Sequence, residues 1–119
     1  MIDERNILTN TKIANHYSWG DGCDAWYLME SPEMTIVQER IPPGAAEKMH
    51  RHAQSRQFFY VLSGTATMIH NGENTMLQAH DGLEIAPGVA HQISNPGDTP
   101  LEIIVTSQPP SRADRIDLP

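Results

Sequence analysis

The sequence predicts an all-β domain, and three observations carry that prediction. From Met34 onward, short runs rich in Val, Ile, Thr, Phe and Tyr alternate with clusters of Gly, Pro, Asn and Asp, the pattern of short strands joined by turns. Asn71-Gly72 stands between two such runs, and a two-residue type I′ turn needs positive φ at both central positions, which Asn and Gly supply. No window of comparable length repeats its apolar residues at the helical period of 3.6.

The elements follow in order. Residues 1–33 include NHYSWGDGCDAWYLM, which mixes aromatics with Gly20 and Gly22; this arm is expected to hold one or two irregular strands closing a sheet edge or a dimer contact. MTIVQERI (34–41) is the first clear strand, ended by Pro42-Pro43-Gly44, and EKMHRH (47–52) and RQFFYVLS (56–63) come next. TATMIH (65–70) pairs antiparallel with ENTMLQA (73–79) across the Asn-Gly turn, then come LEIA (83–86), VAHQISN (89–95) and LEIIVTS (101–107). Residues 34–107 thus form the expected barrel or sandwich, two solutions that pattern alone does not separate. Pro109 and Pro110 cannot donate to a ladder, so the tail, 108–119, is expected to leave the sheet and lie over the surface or a partner.

Composition narrows the function classes. A chain of 119 residues has the size of one domain. A net charge of −7 with only eight scattered basic residues argues against nucleic acid as a partner. Cys23 is the sole cysteine, so no internal disulfide forms and a reducing cytoplasm is the expected compartment. Asp3, Glu4 and Arg5 stand where a signal peptide needs an apolar core, and no apolar run approaches a membrane span. A soluble, unprocessed protein is expected.

Six histidines occur, unevenly placed. His50 and His52 are two residues apart in a strand and so project from one face, at a separation suited to two ligands of one ion, while Arg51 points away. By the same alternation Gln57, Phe59 and Val61 share a face; if it is the inner one, Gln57 joins the histidines. Alone, the pair also suits an exposed strand end. His91, at the start of a β-propense run after Pro87-Gly88, is well placed to reach a site built on other strands.

These residues resemble the two motifs of the cupins. The first runs Gly, five residues, His-X-His, three or four residues, Glu, six residues, Gly; here it reads Gly44, AAEKM, His50, Arg51, His52, AQSR, Gln57, FFYVLS, Gly64. The second motif matches at Gly88, His91 and Asn95, with Ala86 in its proline position and His80 in place of its first glycine. The resemblance implies a double-stranded β-helix, a small jelly roll enclosing a pocket with a metal. It also implies a homodimer with the N-terminal strand exchanged or packed across. The implied ligands are His50, His52, Gln57 and His91, holding one divalent transition metal per chain: Fe(II), Mn(II), Ni(II), Co(II) or Zn(II), among which such a set discriminates little.

Gln57 stands where glutamate is usual. Three neutral imidazoles and a neutral amide leave the ion's charge uncompensated, which strengthens it as a Lewis acid and favours anionic chelating ligands. An amide cannot act as a base, so proton transfer must use metal-bound hydroxide, another side chain or the substrate. Further pocket candidates are Phe59, beside Gln57; Gln38, with Met34 and Ile36, if even-numbered positions of that strand face inward; and Lys48, if the strand of His50 already runs there. Trp19, Trp26 and Tyr27 are candidates for the pocket mouth or for packing.

The function expected is a metal-dependent enzyme of dioxygenase, isomerase or lyase type acting on a small organic substrate. Two alternatives stand beside it: a non-catalytic cupin binding a sugar or small acid, and a site whose ion is purely structural.

Overall fold

Alternating burial along the strands sorts the chain into two antiparallel sheets whose apolar faces meet. The computed structural model describes residues 7–119. Its strands are β1 (Asn15–Trp19), β2 (Cys23–Glu30), β3 (Thr35–Ile41), β4 (His50–His52), β5 (Arg56–Ser63), β6 (Ala66–His70), β7 (Glu73–Leu77), β8 (Gly82–Ile85), β9 (His91–Ser94), β10 (Leu101–Gln108) and β11 (Arg115–Asp117). One sheet has the order β1-β2-β3-β10-β5-β8 and the other β11-β4-β9-β6-β7. Residues such as Val61, Met68, Ile93, Leu101 and Ile103 fill the space between them. Among the described residues no helix is long and apolar enough to cross a membrane.

The local chemistry explains several joints. Asn71 and Gly72 take φ of 50° and 81°, as the tight β6–β7 turn requires. Gly64 has φ of +86°, and a Cβ there would stand 2.8 Å from the Pro100 carbonyl oxygen, so this end of β5 admits only glycine. Asn95 is buried and ties three segments together: its Nδ2 donates to the carbonyls of Ile41 (2.9 Å) and Thr99 (2.8 Å), and its Oδ1 accepts from Gly97 N–H (2.9 Å).

Four expectations need correction. Residues 15–30 are not irregular: β1 and β2 pair antiparallel in unbroken register, and β2 joins β3 with one irregularity between Tyr27 and Met29; residues 1–6 of the expected arm lie outside the described residues. The tail leaves the first sheet after Gln108 but returns as β11, pairing Arg115 with His52 and Asp117 with His50, because β4 offers its outer edge to be paired. β4 spans only His50–His52, so Lys48 precedes the strand. In β3 the odd-numbered positions face inward, since Val37, Glu39 and Ile41 lie opposite Val105, Ile103 and Leu101 of β10; Gln38 and Ile36 point outward.

Candidate metal centre

Two strands of the second sheet and one of the first bring the site together. His50 and His52 leave the inner face of β4, and antiparallel pairing sets His50 opposite His91 of β9. Gln57 reaches in from β5. The three histidines are each at most 4% exposed and Gln57 6%. Their candidate ligand nitrogens lie within 4.8 Å of one another, close enough for one ion.

The outer hydrogen bonds decide which nitrogen each ring presents. His50 Nδ1 donates to the Lys48 carbonyl (2.7 Å), His91 Nδ1 to the Val89 carbonyl (2.9 Å), and His52 Nδ1 to Asp114 Oδ1 (2.9 Å). Each acceptor fixes the proton on Nδ1 and leaves the Nε2 lone pair directed inward, the arrangement that prepares an imidazole for a metal. Burial also lowers the pKa of His50 to about 4 and that of His91 below its usual range, so both rings are neutral at neutral pH. Asp114 is itself held: Oδ2 accepts the N–H groups of Gln54 (2.8 Å) and Ser55 (2.9 Å). Partial burial works against its ionisation, but those bonds and His52 prevail and keep its carboxyl below the usual range.

Gln57 supplies a test of fit. Its Nε2 donates to Ser107 Oγ (3.0 Å), and its Oε1 faces His91 Nε2 at 3.1 Å. With the His91 proton on Nδ1, that contact sets lone pair against lone pair. Two ligand atoms each about 2.1 Å from one ion lie about 3 to 3.4 Å apart, so a contact of 3.1 Å has the spacing of two atoms that would share a cation. Without one, a turned amide donates to His91, and the Ser107 hydroxyl can serve either orientation. The residues present fit a divalent ion.

Known proteins share this fold. A family model described as a cupin domain matches residues 37–107. The chain belongs to the cupin family. An uncharacterised protein of Methanocaldococcus jannaschii is 30% identical over 70% of this chain and 66% of its own length. An oxalate-binding protein of Thermotoga maritima is 28% identical over 87% of this chain and 90% of its own. Among solved structures, an RmlC-like cupin from Shewanella frigidimarina superposes with a TM-score of 0.81 at 23% identity, covering 92% of this chain and 96% of that one.

This cupin's histidines open onto a cavity of about 410 Å³. His50, His52, Gln57 and Phe59 line it, whereas Gln38 and Lys48 do not. His91 lies behind the others, fully buried. The remaining histidines stand apart, with His16 Nε2 bonded to Asp24 (2.8 Å), His70 Nε2 to Thr75 (2.8 Å) and the His80 ring near Tyr60 (3.2 Å).

Four further groups at the site carry no clear signal in the sequence. Glu39 and Glu47 line the cavity, and Glu47 Oε2 stands 3.9 Å from His50 Nε2 while its Oε1 accepts the Ile93 N–H (3.1 Å). A charged residue between Val37 and Ile41 blurs the apolar alternation of β3, so Glu39 carried no clear signal in the sequence. Asp114 and Arg112 come from the tail, and no spacing rule connects Asp114 to His52 across 62 residues.

Two predictions arise here. Asp114→Asn is expected to weaken metal binding about 10- to 100-fold, because an amide cannot accept both backbone N–H groups and still face the His52 proton; competition against a chelating dye measures it. The second concerns pH. Burial raises Glu47 from 4.5 to about 8, with Glu39 adding repulsion, and burial raises Glu39 to about 7. A raised carboxyl contributes stability that is fully present below its unfolded value and lost as pH rises through the folded one. His50, lowered, contributes stability present above 6.5 and lost as pH falls toward about 4. The metal-free protein is therefore expected to lose melting temperature as pH rises from about 4.5 toward 8 through the two carboxyls, and as it falls from 6.5 toward 4 through His50, so that its maximum lies on the acid side of neutrality and Glu47→Gln reduces the loss above that maximum.

Proposed function

We propose that this cupin holds one divalent transition metal per chain on His50, His52, His91 and Gln57 and acts with it on a small organic substrate. The observation that carries this reading is that inward-directed histidine lone pairs line an open cavity of about 410 Å³, within the range that admits a small molecule. When bound, the ion supplies Lewis acidity or activates oxygen. Gln57 keeps the ligand set neutral and cannot serve as base; Glu39 and Glu47, whose carboxyls titrate near neutrality, can accept or donate protons at the cavity wall. Phe59, Val37 and Val105 give the cavity an apolar side that limits water around the substrate. A cavity of this size argues against an ion serving only as a staple.

A non-catalytic binder is the second reading, favoured by the Thermotoga maritima relative named for oxalate binding. Screening the Fe(II)-, Ni(II)- and Mn(II)-loaded protein for oxygen uptake and product formation with β-dicarbonyls, catechols and hydroxy acids separates the two. Turnover that vanishes on chelation supports the enzyme; tight retention without turnover supports the binder. The proposal extends to a homodimer in the cytoplasm, with Ile7, Leu8 and Ile13, all exposed ahead of β1, as apolar surface for a second copy; light scattering measures the assembly.

A further inference from the structure

More than half of the residues around the cavity lie outside the span that matches the cupin family model. They come from two pieces of chain. Tyr17 of β1 and Tyr27 of β2 form one side, and the segment from Pro110 to Arg115 forms another. The shared span thus supplies the histidines of the cavity, and these two pieces supply further walls of it.

Arg112 joins them. Its guanidinium carbon lies 5.5 Å from the centroid of the Tyr17 ring and 5.6 Å from that of Tyr27, two rings themselves 5.4 Å apart. Stacking on ring faces uses the flat side of a guanidinium and leaves its in-plane N–H edge free to donate. Among the described residues no carboxylate lies within ion-pair distance of it, whereas Arg115 is already paired with Asp117 at 2.7 Å. The segment is also fixed in place. Asp114, two residues on, is bonded to His52 and to the N–H groups of Gln54 and Ser55, and β11 follows at once. Two residues span about 7 Å at most, so the Arg112 backbone is held within a small molecule's length of the histidines.

We propose that Arg112, stacked on Tyr17 and Tyr27, is the recognition subsite for an oxyanion of the ligand, so that this cupin selects small bifunctional organic acids with one end at the histidines and the other at Arg112. The subsite rests on the metal-bound reading above for its first anchor. An arginine fork suits a carboxylate or a phosphate through paired N–H donors. Arg112 and Arg115 are the arginines of the cavity lining, and with Arg115 paired to Asp117 the second oxyanion falls to Arg112.

The test uses full-length protein loaded with Co(II), whose visible spectrum reports ligands reaching the metal. Wild type, Arg112→Ala and Arg112→Lys are titrated with azide, with butyrate, with diacids from malonate to adipate, and with phosphoglycolate. In wild type at least one diacid, or phosphoglycolate, is expected to bind about tenfold more tightly than butyrate, and whichever arm gains identifies the oxyanion. Arg112→Ala is expected to abolish that gain and leave azide within about twofold, with lysine restoring only part. A diacid gain that survives Arg112→Ala, or no gain in wild type, overturns the proposal. Should the wild type hold no Co(II), the metal reading fails by itself. The Arg112 Nε–H resonance of the metal-free protein then decides the subsite: a saturable shift with the diacids supports it, and none overturns it.

Discussion

His91→Ala is expected to abolish stoichiometric metal retention. Structural zinc sites of four ligands give roughly 10–16 kcal/mol, so one imidazole accounts for about 3 kcal/mol or more. His91 has no exposed surface, and its Nε2 stands 3.1 Å from Gln57 Oε1, so its loss removes one ligand and releases another from its neighbour. The rise in melting temperature that a bound metal gives the native state is expected to disappear with it. His52→Ala, at the cavity wall, is the companion variant: it opens no cavity behind the site, and loss of metal in both variants separates ligation from packing.

Asn95→Ala is expected to destabilise the fold by about 3 kcal/mol in urea unfolding. Truncation leaves the Ile41 and Thr99 carbonyls and the Gly97 N–H without the partner they have at 2.8–2.9 Å, and Asn95 itself is 1% exposed. Stranded buried polar groups cost more than the bonds were worth. Asn95 sits at the end of the stretch that carries His91, so its motif role is to hold that stretch against the β3 end and the loop before β10. Its variant is expected to bind metal normally while folded.

The inward placement of the histidines and Gln57 was legible in the sequence because strand alternation is rigid. His50 and His52 must share a face, and the alternation of Gln57, Phe59 and Val61 survives in their burial. The Asn71-Gly72 turn was legible for the same reason: few dipeptides tolerate positive φ twice. The face of β3 was not, because a cavity reverses the usual rule that charges point outward. Glu39 faces inward beside Val37, so hydrophobic alternation gave no clear sign. Lys48 was misplaced because β4 has only three residues and the chain before it follows no strand period. The tail is the largest omission. Pro109 and Pro110 do end β10, yet the pairing of β11 with β4 and the bond from Asp114 to His52 are long-range contacts that only the assembled sheet creates.

A metal held by the histidines must survive removal of excess ions. Elemental analysis of untagged wild-type protein, reloaded with a divalent transition metal and freed of excess, measures it directly. About one ion per chain in the wild type, and a small fraction of that in His52→Ala, is the predicted result. A wild type that retains no stoichiometric metal, or a His52→Ala protein that retains as much as wild type, would contradict it.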